Sequence, residues 1–223
     1  MFDKARKNLG KLFLVVLGCI LFIGFAKFKE YADIKKVVQR LEADTRVAEV
    51  LVTESRLNEE TQKFITTIKF LEYDVDQKPL KARYFEFQGN QIQFQSLVVR
   101  FDDYFVAKGH KMKGKSIYLF LKAFVLDGAN TQEFEITKTV GVPEGYLVDG
   151  VSKKMQREIW KNFWEYALKP ERRDELGIKN VQLEAPGSVF VPGTLYTINI
   201  EHDGGLRIDT APIPAILRGE KIQ

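Results

Sequence analysis

The 223-residue chain carries 34 basic and 30 acidic residues, with a pI near 8.9. Six of the bases and one acid lie in residues 1–29, leaving 28 bases against 29 acids, so the body of the chain has no electrostatic footprint for nucleic acid. One cysteine, Cys19, excludes an intrachain disulfide and a cysteine-based zinc cluster.

Residues 1–11 form a basic tail holding Lys4, Arg6, Lys7 and Lys11. Leu12 to Ala26 then read LFLVVLGCILFIGFA, fifteen positions without a charge, fenced by Lys11 and Lys27. At 1.5 Å per residue the run covers about 22 Å of a hydrocarbon layer roughly 30 Å thick. Phe28 extends it and the lysine stems snorkel outward, which predicts a transmembrane anchor over residues 12–28. A cleaved signal would need a small-x-small site that FAKFKE does not supply. Val16 to Cys19 loosely matches a lipoprotein signal, but the apolar run continues for seven residues beyond Cys19. Charge flanking the span is nearly balanced, and the length of the following domain favours N-terminus inside and domain outside.

In residues 29–46, Tyr31, Ile34, Val38 and Leu41 step by 3, 4 and 3, predicting a stalk helix through which a homodimer could form. From Val47 to Val140 the period is two. KFITTIKFLEY reads as a strand, and KARYFEFQ and QIQFQSLVVRF read as a hairpin turning at Gly89 and Asn90, with Phe85 opposite Phe94 and Phe87 opposite Ile92. SIYLFLKAFVL, apolar on both faces, is predicted as a central strand, and QEFEITKT alternates again. After Gly150, where a subdivision would fall, Ser152 is an N-cap candidate. Met155, Ile159, Trp160, Phe163, Trp164 and Ala167 mark one side of a helix that Lys169-Pro170 ends. PERRDEL is a second short helix, TLYTINIE and GLRIDT form a hairpin, and the proline-bearing APIPAILRGEKIQ is an irregular strap.

Gly109 to Ser116, GHKMKGKS, satisfies the phosphate-loop pattern through Gly109, Gly114, Lys115 and Ser116. The pattern needs a helix starting at its serine, whereas SIYLFLKAFVL has strand composition. The same segment offers Lys108, His110, Lys111, Lys113 and Lys115 to anionic headgroups or an acidic partner. Trp160, Phe163 and Trp164 could hold an apolar ligand, although covering the sheet accounts for them more simply. His110 and His202 stand apart, Asp102 and Asp103 point to opposite faces of any strand, and no hydrolase elbow or paired-histidine motif occurs. No metal or cofactor is expected.

The runs VVRFDDYFV, GKSIYLF, IWKNFWEYALKPERRDELGI, VQLEAPG and DGGLRI resemble a group of bacterial single-span proteins of unknown function, some labelled as efflux pumps. The resemblance implies no functional residue, and one span cannot form a transport pathway alone. The expectation is an α+β protein: an anchor, a stalk, and over residues 47–223 a β-rich, mainly antiparallel extracytoplasmic domain with one long amphipathic helix packed on it. It would act by binding or assembly with an envelope partner, as a non-enzyme in the bacterial inner membrane.

Overall fold

The computed structural model describes residues 47–74, 76–101, 116–127, 130–176, 178–201 and 205–214, besides Phe22 and Phe25, which are helical and exposed. The predicted anchor, apart from these two phenylalanines, and the predicted stalk lie outside the described residues. Among the described residues no helix is long and apolar enough to cross a membrane.

Among the described residues ten strands follow one another: β1 (Ala48–Asn58), β2 (Lys63–Glu72), β3 (Arg83–Gln88), β4 (Gln91–Phe101), β5 (Ser116–Asp127), β6 (Asn130–Glu135), β7 (Ile178–Glu184), β8 (Gly187–Val189), β9 (Thr194–Ile200) and β10 (Leu206–Pro212). One helix, α1 (Lys153–Leu168), lies between β6 and β7, flanked by 3₁₀ turns at Glu144–Tyr146 and Pro170–Leu176. The strands form two antiparallel sheets, ordered β10-β9-β1-β2-β3 and β6-β5-β4-β7, with β8 also pairing β4. Strands from before and after residue 150 share both sheets, since β9 pairs β1 and β7 pairs β4.

Alternation explains how the sheets meet. Val50, Val52, Ile68, Phe70, Phe85, Phe87, Tyr196 and Ile198 of the first sheet and Ile92, Phe94, Val98, Tyr118, Phe120 and Val125 of the second turn inward into one core. Phe70 is its centre, stacked on Phe94 and edge-on to Phe120, each at 5.2 Å between ring centroids. On the other side of the second sheet, Leu97, Val99, Ile117, Leu119 and Ile178 meet Trp160, Phe163, Trp164 and Ala167 of α1. The β-rich antiparallel domain with one packed helix is thus a layered arrangement of sheet, sheet and helix. It makes β4 and β5 apolar on both faces, as SIYLFLKAFVL suggests.

The expected hairpin at Gly89 and Asn90 is not formed. β3 pairs β2, β4 pairs β5, β7 and β8, and the chain crosses from one sheet to the other at this corner. Gly89 has φ +97°, donates its N–H to the Phe64 carbonyl at 2.6 Å, and accepts the Thr66 hydroxyl at 2.5 Å. The inward residues are those the alternation selects. A flat hairpin would leave its Phe85, Phe87, Ile92 and Phe94 face needing a separate cover, whereas splitting the two strands between sheets lets these residues bury one another.

β7 and β8 form one interrupted edge along β4. Between them the Phe94 N–H donates to the Pro186 carbonyl at 2.9 Å, and Gly187 sits so close that a Cβ there would lie 2.6 Å from Cγ of Gln93. Proline breaks the ladder at an edge, where its missing N–H is tolerated.

Candidate functional site

The domain has two ends. At one end the chain arrives at Val47, whose N–H donates to the Ile198 carbonyl and whose carbonyl accepts from Tyr73. Glu72 closes β2 at this end, opposite Ala48. The Glu144–Tyr146 turn fixes the second sheet in the same direction. Gly145 packs beside Glu72, Asp74 and Leu80, and the Tyr146 hydroxyl donates to the Tyr118 carbonyl at 3.0 Å while accepting from its N–H at 3.3 Å. Tyr118 is two residues into β5, so the connection from Phe101 to Ser116 leaves and returns at the Val47 end. Lys108, Gly109, His110, Lys111, Lys113, Gly114 and Lys115 belong to that connection and lie outside the described residues.

Ser116 is the first residue of β5, and residues 116–127 run as a strand paired with β4. A phosphate loop presents its serine at a helix N-terminus, where unpaired N–H groups and the helix dipole face the anion. Here Ser116 enters the ladder opposite Arg100 instead.

Among the described residues an ionisable cluster occurs at the same end, and the sequence alone does not announce it. The half-buried Glu72 carboxylate lies near Arg83 and Glu144, which approach each other at 3.7 Å. Burial pushes the Glu72 carboxyl up to about 7, Arg83 opposes this, and Glu144 reinforces it. Burial also raises the Tyr146 phenol, against the lowering effect of its hydrogen bond to the Tyr118 backbone. Chemically the cluster is a carboxyl that exchanges its proton near neutrality. The three charged residues stand 11 and 61 positions apart, so only strand register brings them together. Among the described residues no group of three or more His, Cys, Asp or Glu side chains is placed to hold a metal.

The helix aromatics are gathered, but inward. Trp160 and Trp164 are each 1% exposed, and Phe163 is 7% exposed. Trp160 lies 5.4 Å from the Tyr146 ring and 4.9 Å from Phe163, and Trp164 Nε1 donates to the Gly141 carbonyl at 2.7 Å. An apolar ligand between sheet and helix would have to displace α1 from these contacts.

The helix is placed by its first turn. Ser152 Oγ accepts from the Met155 N–H, the expected N-cap. One turn in, Gln156 is buried, with Nε2 donating to the carbonyls of Val148 and Val151 and Oε1 accepting from the Val148 N–H. Replacing Gln156 by leucine would strand three backbone groups in an apolar setting. It is expected to cost about 2–3 kcal/mol in urea unfolding followed by tryptophan fluorescence, and unchanged stability would mean water reaches this turn.

No family model, no curated protein and no solved structure matches this chain.

Proposed function

We propose that the protein is a single-span, non-catalytic binding or assembly component of the bacterial inner membrane, with residues 12–28 as its anchor and the sandwich domain outside the cytoplasm. The lysine-fenced apolar run from Leu12 to Ala26 carries this reading. The domain's polarity supports it. The chain enters at Val47, and the roots of the Lys108 to Lys115 connection, Phe101 and Ser116, lie at that same end. On this reading Lys108, His110, Lys111, Lys113 and Lys115 are the candidates to meet anionic headgroups or an acidic envelope partner. Each cation contributes on the order of 1 kcal/mol beside an anionic surface. The aromatic face of α1 is consumed by the sheet beneath it, leaving loops and sheet edges as the binding surfaces.

The test is alkaline carbonate extraction of membranes from cells producing the full chain, followed by chemical crosslinking in intact cells. The chain is expected to stay in the pellet, to become extractable when residues 12–28 are deleted, and to form an adduct with a membrane or envelope protein. Quantitative release of the intact chain by carbonate would overturn the anchor. Nucleotide-dependent thermal stabilisation that is lost in Lys115→Ala would overturn the non-catalytic assignment in favour of the phosphate-loop pattern.

A further inference from the structure

At the Val47 end, the connection from β6 to α1 touches all three layers. Toward the second sheet and the helix it is held by hydrogen bonds. The N–H groups of Ile136 and Thr137 donate to the Leu121 carbonyl, the Gly141 carbonyl accepts from Trp164, and Gln156 bonds Val148 and Val151. Toward the first sheet it rests on the β2–β3 corner. A Cβ added to Gly145 would lie 3.5 Å from Cδ1 of Leu80, 3.7 Å from Cα of Asp74 and 3.7 Å from Oε1 of Glu72, so the gap between turn and corner is about a methyl group wide. The Arg83 and Glu144 side chains border this contact.

The Glu72 carboxyl at its centre has little to replace water when it ionises. Among the described residues no hydrogen bond reaches it, and the charged groups facing it oppose one another: Arg83 from β3 favours the anion and Glu144 from the turn disfavours it. Asp74, in the β2–β3 connection, gives its carboxylate to the N–H groups of Asp76 and Lys78. The second sheet and the turn offer the Tyr118 and Tyr146 phenols, Ala48 stands opposite on β1, and Glu49 points to the other face, where it accepts the Tyr73 hydroxyl. Ionisation of Glu72 therefore sets a second negative charge beside Glu144 and against the uncharged backbone of the turn.

We infer that Glu72 and the Glu144–Tyr146 turn form a proton-controlled clasp: with the carboxyl protonated the turn seats on the β2–β3 corner, and with it ionised the turn lifts off while both sheets stay paired. Lifting takes the Tyr146 ring off Trp160, which it now meets at 5.4 Å. The apolar layer between α1 and the second sheet is then uncovered at the end where the chain enters, in response to pH alone. This assignment does not depend on the membrane anchor.

The experiment is hydrogen exchange of the full chain in detergent, read by mass spectrometry at pH 6 and pH 8, with each rate divided by the intrinsic rate at that pH. The reporters are the Tyr146 and Leu147 N–H groups, which donate to the Pro143 and Glu144 carbonyls. For a carboxyl that titrates at about 7 in the clasp and near 4.5 when released, their opening should be about tenfold more populated at pH 8 than at pH 6. In Glu72→Gln it should be equally rare at both, and Glu144→Gln should reduce the response to a few-fold. Dilute urea should leave these two amides unchanged while accelerating those of β4 and β5, because a local opening exposes little surface. Equal opening of the parent at the two pH values, or an undiminished response in Glu72→Gln, would overturn the clasp. So would acceleration of the turn amides by urea in step with β4 and β5, since the turn would then open only when the whole domain unfolds.

Discussion

Replacing Trp164 by alanine is expected to destabilise the domain by about 3–5 kcal/mol, a large share of the roughly 5–15 kcal/mol that holds an ordinary domain together. The indole is 1% exposed, packs against the Phe163 ring at 5.8 Å between centroids, and donates to Gly141. Alanine removes the buried ring, leaves a cavity between α1 and β4–β5, and frees a carbonyl in the 138–141 turn. Phenylalanine at the same position keeps most of the ring and loses the bond, so it should cost nearer 1–2 kcal/mol. Trp160 supplies the control. Its Nε1 is buried without a hydrogen-bond partner, so Trp160→Phe forfeits no bond and should cost less than Trp164→Phe. Urea unfolding read by far-ultraviolet circular dichroism would rank the variants. If Trp164→Ala left the midpoint unchanged, α1 would not be a structural cover of the sheet, and the apolar-carrier reading of Trp160, Phe163 and Trp164 would regain its ground.

Alternation and helical period made the core legible. The inward residues of β2, β3, β4 and β5, the Ser152 cap and the buried side of α1 all follow from spacing, because each repeats one physical rule several times. Pairing was less legible than facing. Gly89-Asn90 reads as a two-residue turn, yet only Gly89 of the pair takes a positive φ, and the strands on either side join different sheets. Local turn chemistry cannot report which sheet a strand will join; that depends on covering an apolar face with another.

β7 and β8 escaped for a related reason. Ile178, Val181 and Leu183 do not keep strict alternation, and Pro186 interrupts the run, so the segment lacks the period of a strand while still pairing along β4. The phosphate-loop pattern is a literal match in the sequence whose serine is the first residue of a strand. The acidic cluster was illegible because Glu72, Arg83 and Glu144 have no sequence proximity. The only sign available was a charged residue at an inward position of an otherwise apolar strand face: Glu72 follows Phe70 and Ile68 at a spacing of two.

That inward glutamate gives the second large effect. Its carboxyl is raised from the ordinary 4.5 to about 7, so between these values the folded protein binds a proton that the unfolded chain has released. Its contribution is therefore fully present below pH 4.5 and is lost as pH rises through 7, when an ionised carboxylate must be kept half-buried. A shift of this size, which already includes the opposing effect of Arg83, corresponds to about 3 kcal/mol at most, and partial solvent access brings the expected loss nearer 2 kcal/mol. Glu72→Gln keeps the side-chain shape without the charge. At pH 8 the variant is expected to be about 2 kcal/mol more stable than the parent chain, and at pH 4 nearly equal to it. Paired urea titrations at the two pH values check this, with other titrating groups cancelling between the proteins. Glu144→Gln should narrow the gap, because Glu144 reinforces the shift, whereas Arg83→Gln should widen it, because Arg83 opposes it. Equal pH dependence in parent and Glu72→Gln would place the carboxylate in water and remove the cluster from the interior.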